Sequence, residues 1–521
     1  MNSNTRFTMT VALIVALGGF LMGFDASVIS GVIGFIEVEF ELSKIQLGWS
    51  VASLTLTATF AMLVSGPLSD RIGRRPVLKI AAVLFAISAV ASAVAPNFLT
   101  LVIARMIGGF GVGAALIIAP MYIAEIAPAE IRGRMVSFNQ LNIVVGISVA
   151  FFTNYLILSL GQSDAAWSES LRFSEWGWRW MLGIEAVPAM IYFFALLFVP
   201  ESPRWLAMHG KKDEALRVLE RASGSERAKA DLIVVEESLT SDSVSQEGSI
   251  KQLFQPAMKL VLTIGLSVAI LQQITGINSV FFYAPMIFEQ SGIGTNASFV
   301  QAILVGVVNL VFTVIAMMLI DKVGRRPLLL VGLTGITICM LTLSYGFGSA
   351  RYQLSQDSIA QLPAELSQAQ LMPLADTVYE SDREFRSTVS AAIGKAQYQQ
   401  YESQLVSAAI QMNSLLILLG ILGFVASFAV SLGPVMWVLF SELFPNQLRG
   451  LAISFVGLVN SGISFGVQLV FPWELENLGN SMTFFIYGIF ALVGLIFIAR
   501  NLPETKGASL EELQKRLVKQ K

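Results

Sequence analysis

Two octets decide how this chain is built: "SDRIGRRP" at 69–76 and "IDKVGRRP" at 320–327, separated by 251 positions from Asp70 to Asp321. Each is a basic turn set in a sequence that is otherwise mostly apolar. Of 521 residues, 55% are hydrophobic and 13% charged, and the mean hydropathy is +0.68, whereas soluble domains carry about 25% charged residues. Around the octets, apolar runs of about 20 residues recur, the length a helix rising ~1.5 Å per residue needs to cross a ~30 Å hydrocarbon core. Twelve such runs lie near 9–35, 47–68, 76–96, 98–122, 135–160, 178–199, 258–288, 297–320, 327–347, 408–440, 447–470 and 480–500. The first is too long for a removable signal peptide and lacks the small-residue cleavage site. The chain therefore reads as an all-α membrane protein with twelve transmembrane helices.

Charge placement orients it. With a cytoplasmic N-terminus and alternating spans, 26 of the 34 Lys and Arg fall in cytoplasmic segments, 7 fall outside and Arg105 lies within a span. That bias selects this orientation over its mirror, puts both termini and both octets in the cytoplasm, and points to a plasma (inner) membrane protein. One cysteine, Cys339, and one histidine, His209, are too few for a Cys/His metal site or a triad built on a buried His. No Walker motif is present, and the "GGFGVG" of 108–113 lies inside an apolar run with no preceding strand, so it fits close helix packing and not a nucleotide loop. An enzyme, a cofactor and a nucleic-acid partner are not expected.

If the octet marks a duplicated unit, other pairs should follow in the same order. "AEIAPAEIRG" (124–133) is matched by "SELFPNQLRG" (441–450), and "PESPR" (200–204) by "PETKG" (503–507). Three pairs in register predict two pseudo-symmetric six-helix bundles. The expected division is 1–200 for the first bundle, 201–257 for cytoplasmic linker helices, 258–501 for the second bundle and 502–521 for a cytoplasmic tail. The second pair is 317 positions apart (125 to 442), so an insertion lies between; residues 349–407 are polar, lie outside and read as short surface helices.

Taken together, GPLSDRIGRRP (66–76), ARMIGGFGVG (104–113), PESPRW (200–205), QQITGIN (272–278), DKVGRRP (321–327), GPVMWVLFSELFP (433–445) and PETKG (503–507) resemble the sugar porters of the major facilitator superfamily. The resemblance covers nearly the whole chain outside the insertion and implies the major facilitator fold. At the inner helix ends, Asp and Arg can bridge neighbouring spans and lock the cytoplasmic side when the outer side is open, a role suited to the guanidinium fork. The resemblance implies an inner gate of Asp70, Arg71, Arg74, Arg75, Glu125, Arg132, Glu201 and Arg204 in the first half, with Asp321, Arg325, Arg326, Glu442 and Arg449 in the second.

A sugar hydroxyl both donates and accepts, and so does an amide. Gln272, Gln273 and Asn278 lie deep in span seven, where polar groups are costly unless they face the protein interior, and Gly276 allows the helix to break there. Gln140, Asn309 and Asn460 match sugar-contact positions of the family, Phe282 stands where a Tyr pair is common, and Trp437 offers a flat face to a pyranose beside Pro434. Ser461 and Ile147 stand where many relatives have Trp and some have Gln, which leaves the sugar open among hexoses, pentoses and related polyols.

Three charges, Asp25, Arg105 and Glu185, lie inside first-half spans at a shared depth of about 10–15 Å below the outer surface. A charge at that depth costs about 2.5–3.5 kcal/mol and is usually paired and functional. If the balance between burial and the Arg105 charge changes with conformation, proton binding is linked to transport. Relatives driven by protons keep Asp at the Asp25 position. The expectation is a proton–sugar symporter working by alternating access, functional as a monomer, with facilitated diffusion through the same fold, or a non-transporting sugar receptor, as alternatives. "NAS" at 296–298 fits an outer glycosylation sequon.

Overall fold

The computed structural model describes residues 3–244, 250–363, 366, 368–445 and 448–506; the tail from 507 lies outside the described residues. Among them, twelve helices are long and apolar enough to cross a membrane. Spans one to six are Asn4–Gly31, Lys44–Ile72, Arg74–Ala93, Phe98–Ile126, Ile131–Gly161 and Phe173–Leu196. Spans seven to twelve are Pro256–Glu289, Thr295–Val323, Arg325–Gly348, Ser414–Leu443, Arg449–Asn477 and Gly479–Asn501. The two bundles meet where span two lies against span eleven and span five against span eight.

Within the first bundle, span four packs against span two through the glycines of GGFGVG. A Cβ at Gly109 would fall 2.3 Å from the Leu54 carbonyl oxygen, and one at Gly113 would fall 2.2 Å from that of Ala58. The segment is helical throughout, so its glycines serve close packing, as expected from their place within an apolar run.

Between the bundles lie helices Pro203–Met208, Lys212–Ser223 and Ser225–Val244. The second is amphipathic: Ala215, Val218, Leu219 and Ala222 recur at helical spacing and are buried. It docks on the start of span one, where Thr8 donates to the Ala222 carbonyl (3.4 Å) and Arg221 covers the Phe7 ring at 4.2 Å. This end of the molecule is the linker side.

Both octets build the same turn here. Gly73 and Gly324 each take φ +107°, and a Cβ on either would collide with a glutamate that follows its half's sixth span, 2.4 Å from Glu201 Oε2 and 2.7 Å from Glu504 Oε2. Those carboxylates accept the backbone N–H groups that open spans three and nine: Glu201 from Arg74 and Arg75 at 3.0 and 3.2 Å, Glu504 from Arg325 and Arg326 at 3.1 Å each. Burial pushes the Glu201 carboxyl up, against the pull of these backbone donors. The guanidinium of Arg74 pairs with Asp70 (2.7 Å) and Glu125 (3.1 Å), and that of Arg325 with Asp321 (3.2 Å) and Glu442 (2.8 Å). Ser202 donates to Glu125, and Thr505 to Glu442. Arg75 and Arg326 cap the ends of spans six and twelve through the carbonyls of Leu197 and Ala499, both at 2.8 Å.

The opposite, cap side carries the insertion. It holds more structure than short surface helices: strands Arg351–Tyr352 and Ile410–Gln411 pair antiparallel, so span ten begins at Ser414, six residues later than the hydropathy suggests. Helices Asp382–Ile393 and Lys395–Ala409 enclose a separate apolar core that includes Tyr352, Phe385, Val389, Leu405 and Val406. The cap rests on the second half, where Ser407 donates to the Gly292 carbonyl (3.0 Å). It also reaches the first half: Glu402 lies 3.8 Å from Lys44, which bonds Glu37 at 2.5 Å. Arg386 bridges Asp382 and Glu402. Burial pushes Glu402 up, but Arg386 and Lys44 hold it below the usual carboxylate range; burial leaves Glu37 raised.

Candidate substrate and coupling sites

Asp25 sits near the cap end of span one, and Arg105 reaches it from span four. Both are about 1% exposed; the guanidinium bonds the carboxylate at 2.5 Å and the Asp25 carbonyl at 3.0 Å. The pair leaves orphans, because Asp25 Oδ2 and Arg105 Nε are buried without a hydrogen-bond partner. Asp25 Oδ2 lies beside Gly108, whose Cβ, if present, would be 2.7 Å away. Glu185 lies within electrostatic reach of both charges, and its Oε1 is also buried and unpartnered. The three residues thus form one buried charged cluster. The sequence reading missed that Glu185 stands at a break in span six, between helices Phe173–Gly183 and Ala186–Leu196. Pro188, in the first turn of the second piece, was the available signal.

The second half is built differently. Span seven breaks between Ile274 and Ile277, with Gly276 at φ +88° and its Cα so close to Tyr487 that a Cβ would fall 2.4 Å from the ring. The break brings Gln272, Gln273 and Asn278 to one level. Asn460, from span eleven, donates to Gln272 Oε1 (2.8 Å) and accepts from Gln273 Nε2 (3.2 Å). Asn278 donates to Gln273 Oε1 (2.8 Å) and to Ser464 Oγ (2.7 Å). Span ten breaks at Ser431 (φ −127°, ψ −95°), shortly before Pro434, and Gln272 donates to the Leu432 carbonyl at the start of its second piece (3.3 Å). Four amides from two spans therefore satisfy one another, a condition their burial in apolar surroundings requires.

A cavity of about 390 Å³ lies between the bundles, lined by Thr59, Pro120, Gln140, Ile143, Trp437, Gly457 and Ser461 among others. Every lining position belongs to the linker-side half of its span. Gln140 and Trp437 are exposed to this space from opposite bundles. The amide cluster abuts its inner end, since Asn460 precedes Ser461 and contacts Met436, the neighbour of Trp437 (Nδ2 to Sδ, 3.7 Å). On the cap side the bundles touch. Thr55 donates to Gln468 (2.9 Å), Ser148 to the Gly306 carbonyl (2.9 Å), Trp49 packs edge-on to Phe465, and the amides of Gln162 and Asn296 pair reciprocally at 2.9 and 3.0 Å. The asparagine of the sequon is thus held in a contact between bundles.

Other expected positions fall outside these clusters. Asn309 is buried on span eight, on the face that meets span five one turn earlier at Gly306. Phe282 is buried in span seven, and Ile147 packs in the same apolar core. The octet arginines do not join the halves. The pairs of Arg74 and Arg325 stay within their own bundles, Arg71 and Arg132 are exposed, Arg204 bonds Ser238 (3.2 Å), and Arg449 donates to the Phe444 carbonyl (3.3 Å). With the cavity in the linker-side halves of the spans, the bridges of Arg74 and Arg325 join neighbouring spans of one bundle. Ser464, Gln468 and Thr55 were not expected; the four-residue spacing of Asn460, Ser464 and Gln468 on one helix face was the signal.

The family described as sugar (and other) transporter matches residues 11–361 and 389–517. The chain is 36% identical over 513 residues to the arabinose-proton symporter of Bacillus subtilis, covering 98% of this chain and 96% of that one. It is 34% identical over 543 residues to the D-xylose-proton symporter of Escherichia coli, with the same coverage. The inward-open conformation of the xylose transporter XylE from E. coli superposes with a TM-score of 0.75 at 33% identity, covering 98% of this chain and all of that one. The duplicated clamps, the broken spans and the cavity open at one end are therefore those of a carrier and not an enzyme: the chain belongs to the sugar porter family of the major facilitator superfamily, multi-pass membrane proteins that transport by alternating access.

Proposed function

We propose that this protein is a proton symporter for an aldopentose, with Asp25 carrying the proton. The observation that carries the reading is the Asp25–Arg105–Glu185 pocket, in which a carboxylate oxygen of Asp25 and one of Glu185 are sealed from water without partners. Such an oxygen is a ready proton acceptor whose affinity depends on how close Arg105 stays. Any movement of span four against span one changes that distance, so protonation and conformation are coupled by a shared contact.

Sugar recognition rests on Gln272, Gln273, Asn278 and Asn460, with Gln140 and Trp437 closing on the substrate from the cavity. The pentose is suggested by the arabinose and xylose of the relatives named above. The linker side faces the cytoplasm of a plasma (inner) membrane, the clamps organise the inner end of each half, and the division at 200, 257 and 501 separates the moving bodies. The monomer is the transporting unit.

The test is sugar-dependent alkalinisation of a weakly buffered medium by energy-depleted cells or vesicles. D-xylose or L-arabinose added to wild type should raise external pH, and Asp25→Asn should abolish the signal while retaining exchange of labelled sugar. No pH change in wild type, or concentrative uptake by Asp25→Asn, overturns the proton assignment.

A further inference from the structure

Gln468 lies two turns beyond Asn460 on span eleven and is 1% exposed. Its side chain closes a circuit between the bundles. Its Nε2 donates to Ser464 Oγ (2.8 Å), its Oε1 accepts from Thr55 Oγ1 (2.9 Å), and its backbone carbonyl accepts from the Tyr283 hydroxyl (3.1 Å). One residue therefore ties spans seven and eleven of the second half to span two of the first.

Ser464 is the shared member. Its Oγ accepts simultaneously from Gln468 and from Asn278 (2.7 Å), which uses both lone pairs of the hydroxyl. Asn278 in turn holds Gln273, and Gln273 holds Asn460. The hydrogen bonds run without interruption from Asn460 to Thr55 and cross between bundles at one step, Thr55 to Gln468. Thr59, which lines the cavity, donates to the Thr55 carbonyl (2.8 Å). The seam thus forms the cap-side end of the cavity.

We propose that Thr55 and Gln468 are positioning residues that latch the cap side and couple its closure to occupancy of the amide cluster. Opening toward the cap parts span two from span eleven, so this bond must break and leave a buried amide oxygen without its donor. A sugar hydroxyl that accepts from Asn278 competes for the donor now given to Ser464 and thereby alters the neighbour of Gln468. Coupling is reciprocal: a weakened latch must change sugar affinity in the same measure that sugar changes the latch. The inference rests on the amide cluster being the sugar site.

The experiment uses purified full-length protein with Cys339→Ser and Ser461→Cys, so that the thiol in the linker-side cavity reports its opening by its rate of reaction with N-ethylmaleimide. Thr55→Val removes the donor and keeps the shape, and Thr55→Ser restores it. The valine variant should slow labelling about three- to ten-fold, the range for one interhelical hydrogen bond. It should also lower the KM for D-xylose or L-arabinose offered from the cap side by a comparable factor, and the serine variant should restore both. Unchanged labelling with valine, slowed labelling without a change in KM, or failure of serine to restore, overturns the latch. Failure of the site reading is distinct: it is signalled by unchanged sugar binding in Gln273→Ala.

Discussion

The two bundles share a scaffold and differ in what they enclose. At the linker side their clamps agree atom for atom in kind: a left-handed glycine, a glutamate under two backbone N–H groups, an arginine forked between Asp and Glu, and a hydroxyl on that Glu. Deeper in, the first half holds a buried ion cluster and the second a net of neutral amides. The difference separates two tasks. A charge whose pairing depends on geometry responds to protons, while groups that both donate and accept recognise hydroxyls without changing charge. Duplication supplied the frame, and under the proposed function divergence inside it places the proton-carrying carboxylate in one bundle and most of the sugar-binding amides in the other.

The sharpest way to break this comparison is Asp25→Asn. It should reduce accumulation against a gradient to equilibration, a loss on the order of 100-fold in proton-driven uptake, with sugar exchange preserved. Loss of exchange as well would mean that the ion cluster also shapes the sugar site. Next come the clamps. Removing one partner of a buried ion pair costs about 3 kcal/mol, so Arg74→Ala and Arg325→Ala should each lower the unfolding temperature in detergent. The first-half variant should lose more, because Arg74 is 4% and Arg325 11% exposed. Equal losses would make the clamps energetically equivalent.

Gln273→Ala tests the amide half. It leaves Asn278 and Asn460 each short of a partner and should weaken D-xylose or L-arabinose binding by about ten-fold while leaving the pH profile of transport where it is in wild type. A shifted profile would dissolve the division of labour. The smallest effect concerns the cap. Because Arg386 and Lys44 hold Glu402 below its ordinary range, its contribution is complete above a pH of about 4.3 and is lost as pH falls through the lower folded value. Glu37, raised by burial, takes its proton first and works in the opposite sense. Hydrogen-exchange protection factors of helices Asp382–Ile393 and Lys395–Ala409 should fall below pH ~4 in wild type, and this acid-side step should be absent in Glu402→Gln.

The repeat was legible because each clamp is made of local sequence: Gly73, Arg74 and Asp70 lie within one turn of each other, as do Gly324, Arg325 and Asp321. The depth of Asp25, Arg105 and Glu185 could be counted along their spans, and the pairing of the first two followed from the cost of isolated charge. What sequence did not disclose depends on contacts between distant segments. The Thr55–Gln468 bond joins positions 413 apart, and the cap core is assembled from residues whose apolar spacing is diluted by Gln and Ser. The bridges between neighbouring spans expected of the octets form within each half, Arg74 with Asp70 and Glu125 and Arg325 with Asp321 and Glu442.

Each clamp is completed by a glutamate that comes after its own sixth span, Glu201 in one case and Glu504 in the other. Among the described residues, each bundle finishes its linker-side end with its own groups. A gene severed within the stretch encoding 245–249 should therefore yield two polypeptides that assemble when co-expressed and restore uptake, whereas a cut ahead of Glu201, or a stop codon ahead of Glu504, should deprive one fragment of its keystone and abolish complementation.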